Sequence, residues 1–238
     1  MYDLAEILMN FRKQVNTASL CLASSNMLDE EGIAMMADTL QNVSMLGSAS
    51  LVNQGRHECP LNNHVESSSR DDDGEEVVAV ASINIQGTPS QILNPILFSF
   101  PFAIRPYNAS VPPGPFHLAS TSAVAFFNMA LALHTQAYAA ATENTRNEML
   151  LRQAKEFYLL AHKLLDPLDI DLNGTLIMVY LAICNNLAEL HLQLKERAEA
   201  NDWQASLSDC LRAVPPAVKS PVYRHFCNVA ECYSIKIG

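Results

Sequence analysis

Between residues 120 and 214 the sequence carries two pairs of long amphipathic segments, and this pattern restricts the chain to a mainly helical fold. Apolar residues recur there at spacings of three and four, the period of one helix face. A short polar stretch, residues 142–147, separates the first two segments, which predicts an antiparallel helix hairpin. The predicted helices are Ser120 or Ser122 to about Ala141, a second ending near Asp166, Leu176 to Leu194, Asn201 or Asp202 to Val214, and Pro221 to about Ile235.

A short signature, an asparagine followed by an apolar residue and an alanine, recurs in these helices. It occurs at residues 128–130, 186–188 and 228–230, and the related triplet at residues 16–18 is a candidate fourth copy. The partner helices are expected to carry a small residue, Ala154 after the first copy and Ala205 after the second. Small residues at a helix crossing allow the two axes to approach closely.

The copies Asn128-Met129-Ala130 and Asn186-Leu187-Ala188, each followed by a helix with a small residue, resemble the tetratricopeptide repeat (TPR). That family has Asn-Leu-Gly in its first helix and an alanine early in its second. The resemblance covers residues 120–235, and the first 46 residues less closely. The chain departs from the family because alanine replaces glycine and the copies are 58 and 42 residues apart, whereas the family period is about 34.

The resemblance implies an array of antiparallel helix hairpins wound into a right-handed superhelix, with a concave face that binds a peptide or partner protein. In that family the signature asparagines form hydrogen bonds to the peptide backbone. The implied partner-binding residues are Asn128, Asn186 and Asn228, with Asn185 and Glu189 nearby. The basic residues with which one TPR subclass grips a C-terminal carboxylate are not matched, so a free acidic C-terminus is not the expected ligand.

The chain divides into four predicted regions. Residues 1–46 form an N-terminal helix pair, and residues 47–76 form an acidic disordered linker. Residues 77–118 form a β ribbon and a proline-rich turn, and residues 119–238 form the TPR-like domain. Serines 67–69 precede acidic residues of the linker, which makes them candidate phosphorylation sites.

The predicted ribbon has two strands. The first is the Val- and Ile-rich stretch from Val77 to Ile85. The second has Phe98, Phe100, Phe102 and Ile104 in alternation, and we expect this apolar face to pack on the helical domain. Pro101 cannot donate to a strand ladder, so the second strand is predicted to lie at an edge.

Charge and cysteine usage narrow the class of function. The net charge is −10 and no basic stripe is present, which argues against nucleic acid as a partner because phosphate binding requires clustered Lys and Arg. None of the six cysteines forms a Cys-x-x-Cys pair, and free thiols favour a reducing, intracellular compartment.

The N-terminus lacks the order of a signal peptide, and the longest apolar run, residues 175–184, is shorter than the roughly 18 residues of a membrane span. We therefore expect a cytoplasmic protein without a membrane partner.

Three groups of residues come close to a metal or catalytic site. Asp169-Ile170-Asp171-Leu172-Asn173-Gly174 matches the start of a calcium-binding EF-hand loop, but Tyr180 occupies the twelfth position, where the bidentate Glu is required. His57, Cys59 and His64 lack a fourth ligand at closed-site spacing. His134 and His191 have no nearby nucleophile. The expectation is therefore no catalytic residue, no metal and no cofactor.

The sequence leaves two alternatives to a peptide-binding scaffold open. In the first alternative, the helices pack only against a second copy of the chain, or against its own ribbon and linker, and bind no peptide. A metal or enzymatic site built on Asp169, Asp171, His134 and His191 is the remote alternative. The oligomeric state is left open.

Overall fold

The computed structural model of the chain describes residues 4–25, 77–79, 96–105, 115–139, 144–166, 176–214 and 221–236. Within these ranges the elements in chain order are α1 (Leu4–Ser25), β1 (Val77–Ala79), β2 (Phe102–Ile104), α2 (Pro115–Ala139), α3 (Asn144–Leu165), α4 (Leu176–Gln193), α5 (Arg197–Ala213) and α6 (Pro221–Lys236). The predicted mainly helical class is confirmed.

The long helices pack in sequential pairs. Helix α2 packs along α3, and α4 packs along α5. Because only short connections join the helices of each pair, the two members run antiparallel. Helix α3 also contacts α4, α6 packs on both α4 and α5, and α1 packs on α2 and β2.

Two predicted helix starts are wrong, and both real helices begin earlier. Helix α2 begins at Pro115, a residue suited to the first helical position because its missing N–H would be unpaired there. The Ser120 hydroxyl lies inside the helix, 2.9 Å from the carbonyl oxygen of Phe116. Helix α5 begins at Arg197, not after Asn201 or Asp202, because Lys195 turns the chain with a φ of 64°.

The apolar core joins α1, β2 and the five later helices. Ala154 is fully buried in α3, as expected for a small residue at a helix crossing. Ala205 is exposed, so the corresponding expectation for α5 is wrong, whereas Ala200 of the same helix is fully buried. The earlier start of α5 brings its first turns into the contact with α4.

Strand β2 pairs antiparallel with β1 over three residues. The register places Val77 opposite Ile104, Val78 opposite Ala103 and Ala79 opposite Phe102. Pro101, the residue before β2, has no N–H with which to extend a ladder. The stretch from residue 80 to 85, predicted to continue the first strand, lies outside the described residues.

Two helices have the length and apolar composition of a membrane span, in α2 (Phe116–Tyr138) and in α4 (Leu176–Gln193). Both are mostly buried inside the protein, and core helices of soluble proteins meet the same criterion. Several predicted features lie outside the described residues: the second N-terminal helix, the acidic linker with Ser67–Ser69, the triplet His57, Cys59 and His64, and the EF-hand-like stretch 169–174.

Candidate functional site

Asn128, on the buried side of α2, binds the main chain of Phe102. Its Oδ1 accepts a hydrogen bond from the Phe102 N–H at 2.9 Å, and its Nδ2 donates to the Phe102 carbonyl at 2.8 Å. The same Nδ2 donates to the hydroxyl of Ser19 on α1 at 2.8 Å. The Asn128 side chain is fully buried, so these bonds form where water does not compete for them.

Asn186 repeats this arrangement on α4. Its Oδ1 accepts from the Phe98 N–H at 2.9 Å, and its Nδ2 donates to the Phe98 carbonyl at 3.0 Å. Nδ2 also donates to the Tyr158 hydroxyl at 3.0 Å. The neighbouring Asn185 donates to the Ile96 carbonyl at 2.8 Å and to Oδ1 of Asn186 at 3.0 Å. The amide of Asn186 is thereby fully used in hydrogen bonding.

Asn16 supplies a third pair of the same kind from α1. Its Oδ1 accepts from the Ile104 N–H at 2.8 Å, and its Nδ2 donates to the Ile104 carbonyl at 2.7 Å. We name Asn16, Asn128 and Asn186 the asparagine clamp, and residues 96–105 the clamped segment. The segment crosses from α4 to α2 to α1, and each helix contributes one asparagine of the clamp, with Asn185 of α4 as an additional contact.

The clamp binds one edge of an extended chain. In a β-strand the N–H and C=O groups of alternate residues point to the same edge, and Phe98, Phe102 and Ile104 are all even-numbered. Ala103 therefore presents its main-chain groups to the opposite edge, where Val78 of β1 is its partner. Pro101 also belongs to that opposite edge, so its missing N–H removes no bond from the clamp.

The clamped segment buries its aromatic side chains among those of the helices. Phe98 and Phe102 are each only 1% exposed, and their rings stack at a centroid distance of 5.4 Å. Phe98 also lies 5.1 Å from Phe226 of α6, and Phe102 lies 5.1 Å from Phe127 of α2. The expectation that the Phe face packs on the helical domain is confirmed.

The predicted binding residues do not all meet at one place. Asn128, Asn185 and Asn186 contact the clamped segment, whereas Asn228 is exposed on α6. Glu189 lies one turn beyond Asn186 on α4 and is 7% exposed; its Oε1 accepts from the Tyr138 hydroxyl at 2.9 Å.

Further polar side chains form a partly buried network beside Glu189. Gln193 Nε2 donates to Glu189 Oε1 at 3.3 Å and bonds to the Tyr138 hydroxyl. Nε2 of His134 lies 3.1 Å from Gln193 Nε2, so His134 is the acceptor of that contact. Its ring stacks on Tyr138 with a centroid distance of 5.5 Å. Burial lowers the pKa of His134 to about 3, so the ring is neutral at physiological pH.

His191 belongs to a separate ion cluster at the α4–α5 connection. Its Nδ1 lies 2.7 Å from Oε2 of Glu196, and Lys155 Nζ lies 2.9 Å from the same oxygen. The hydrogen bond from Lys155 is the main cause that lowers the pKa of Glu196. These contacts join α3 and α4 to the residue that precedes α5.

In the part of the chain that is described, neither histidine lies in a group of three or more His, Cys, Asp or Glu side chains that could hold a metal ion. The asparagine clamp contains neutral amides, which neither transfer protons nor act as nucleophiles at physiological pH. What it does is satisfy the hydrogen-bonding groups of an extended main chain.

Sequence reasoning missed two features of this site. Asn16 was noted only as a candidate signature copy, although the same Asn-x-Ala pattern identifies it. Packing of the helices against the chain's own ribbon was one of the predicted alternatives, but the alternation of Phe98 to Ile104 does not indicate which side chains pair with the edge of the strand. No protein family, curated protein or solved structure was found to match the chain.

Proposed function

We propose that this chain is a non-enzymatic scaffold, built as a TPR-like helical array, whose inner face holds an extended polypeptide by its main chain. In the resting state the occupant is the chain's own clamped segment. A peptide or partner protein is the ligand in the active state. The scaffold works in the cytoplasm, a location that the free thiols of Cys184, Cys210, Cys227 and Cys232 support.

One observation carries this proposal: three asparagines on three helices each bind both the N–H and the C=O of one residue. A core that required only apolar packing could use leucine or alanine at these positions, since burying an amide is costly unless its hydrogen bonds are made. The clamp instead provides recognition of extended backbone, as a neighbouring β-strand would.

The test compares intact protein with Asn128→Ala in affinity capture from the native cell, followed by mass spectrometry. Asn228→Ala is the matched control, because it changes an exposed signature asparagine on α6. Circular dichroism checks that each variant is folded. We expect a partner captured by the intact chain and by Asn228→Ala but lost by Asn128→Ala. Equal capture by all three proteins, or no partner at all, would argue against the scaffold.

A purely structural role is the second candidate, and a specific observation favours it. The side chains of Phe98, Phe102 and Ile104 are 1%, 1% and 2% exposed, so releasing the segment would expose a large apolar area to water. On this account the clamp only fixes the chain's own core. The two candidates differ in whether added peptide can replace the clamped segment.

A further inference from the structure

On the basis of the proposed function, we propose that the clamp accepts in trans an extended peptide of defined pattern, in competition with the chain's own segment. The pattern is an aromatic residue at position 1, an aromatic residue at position 5 and an aliphatic residue at position 7. Residues 98, 102 and 104 of the clamped segment define these positions.

The spacing follows from the positions of the clamp residues. The main-chain groups bound by Asn186, Asn128 and Asn16 belong to residues separated by four and then two positions. The same residues carry the side chains that the helices bury most completely. A ligand must therefore present its apolar side chains in the same register as its clamped amides, because a shift of one residue would turn both to the wrong side.

The intervening positions differ in exposure, and Pro101 at position 4 is buried. Ser99 is exposed, and Phe100 and Ala103 are partly exposed. Pro101 shows that position 4 tolerates a residue without an N–H, because its main-chain groups belong to the edge that the clamp does not bind. Polar or variable residues are therefore allowed at position 2, and proline is allowed at position 4.

The chain's own segment is a strong competitor. It is joined to α2 by residues 106–114, and a segment held by so short a connection has an effective concentration on the order of millimolar. A free peptide of the same sequence at micromolar concentration cannot displace it. Tight binding of a free peptide of this length thus requires a weaker internal segment, and weakening the segment by mutation should uncover the site.

The test uses full-length protein with Phe98→Ala and Phe102→Ala together, which removes apolar contacts but leaves the clamp intact. The probe is a fluorescein-labelled peptide of residues 96–105, flanked by lysines for solubility, and binding is followed by fluorescence anisotropy. A scrambled peptide of identical composition is the control ligand. We expect the double variant to bind the probe at least about tenfold more tightly than the intact chain does, and about tenfold more tightly than it binds the scrambled peptide.

Two further variants locate the binding. Adding Asn128→Ala to the double variant should abolish probe binding, whereas adding Asn228→Ala should leave it unchanged. If the double variant does not fold alone, it is refolded with the probe, and recovery of helical circular dichroism replaces anisotropy as the readout. Failure of the probe to bind or to restore helix would overturn the inference.

The remaining outcomes separate this inference from the proposed function. Equal binding of probe and scrambled peptide, lost with Asn128→Ala, would keep the main-chain scaffold but reject the pattern. Absence of binding by either peptide would count against both and favour the purely structural role. If the probe bound the intact chain as tightly as it binds the double variant, the peptide would lie outside the clamp. That result would contradict competition between the peptide and the chain's own segment.

Discussion

The side-chain amide of Asn128 makes both hydrogen bonds that the main chain of Phe102 presents to helix α2, at 2.9 and 2.8 Å. A helix therefore substitutes for a neighbouring strand at this point. Asn186 does the same for Phe98. An extended segment can in this way cross buried helices without leaving its polar groups unpaired, which would cost free energy at each group.

Replacing Asn128 should destabilise the fold. Asn128→Ala leaves the buried Phe102 N–H without its acceptor and removes donors to the Phe102 carbonyl and to Ser19. The Phe102 carbonyl still accepts from the Ser19 hydroxyl at 2.7 Å, so the N–H is the main-chain group left unpaired. One such group costs about 1–3 kcal/mol, and we expect a loss of that size in the free energy of unfolding. Urea denaturation measures it. The exposed Asn228→Ala control should change stability by no more than about 0.5 kcal/mol, and an equal effect of both variants would contradict the clamp.

Asn128→Asp should give a protein whose stability rises as the pH falls. An ionised carboxylate cannot donate to the Phe102 carbonyl, and burial disfavours its charge, so the folded-state pKa of the new group lies above its unfolded value of about 3.9. The stabilising form is the protonated one, and it is lost as the pH rises through the folded-state pKa. The stability deficit relative to the intact chain should therefore be smaller at pH 4.5 than at pH 7. A constant deficit would show that donation to this carbonyl is unimportant.

Shortening Phe98 should create a cavity in the core. The ring contacts Phe102 and Phe226 and is 1% exposed. Phe→Ala changes in such positions typically cost about 3–5 kcal/mol. The neighbouring Ser99→Ala is the control because Ser99 is exposed on the same segment. Thermal and urea unfolding measure the stability of both variants. A Phe98→Ala protein as stable as Ser99→Ala would mean that the segment is not part of the core.

His134 should make the protein less stable in mild acid. Its pKa is lowered from 6.5 to about 3 by burial, so the unfolded chain binds a proton that the folded chain does not, and stability falls as the pH drops below 6.5. Between pH 6.5 and 5 this amounts to about 2 kcal/mol at about 1.4 kcal/mol per pH unit.

The matched variant is His134→Phe, which fills a similar volume but cannot titrate. Stability is measured by urea denaturation at pH 7 and pH 5. Between pH 7 and pH 5, the free energy of unfolding of the variant should fall by about 2 kcal/mol less than that of the intact chain. If both proteins lose the same amount, His134 is accessible to protons in the folded state.

The periodicity of the sequence was sufficient to predict the helices but not the residues at which they begin. Spacings of three and four residues predicted α2 to α6, because burial of one face sets that pattern. The starts at Pro115 and Arg197 were missed for a physical reason. Ser120, Asn201 and Asp202 can cap a helix, but they can equally lie inside one, where Ser120 bonds back to the preceding turn.

The candidate site was predicted only in part. The Asn-x-Ala signature identifies Asn16, Asn128 and Asn186, but it also occurs at the exposed Asn228. A three-residue pattern does not record which helix face is buried. That the occupant is the chain's own segment depends on contacts such as Asn16 with Ile104 and Asn186 with Phe98, each 88 positions apart in sequence. Such pairings are not encoded in local propensity.

Hydrogen exchange of the main-chain amides of Phe98, Phe102 and Ile104, followed by NMR on the full-length protein, tests the clamp most directly. Each of these N–H groups is bound by an asparagine side chain in the folded protein. We predict that all three exchange as slowly as the amides of the buried helix α4, because opening them requires release of the segment from the core. Exchange at the rate of an unstructured peptide would show that the segment is not held, and would contradict the account.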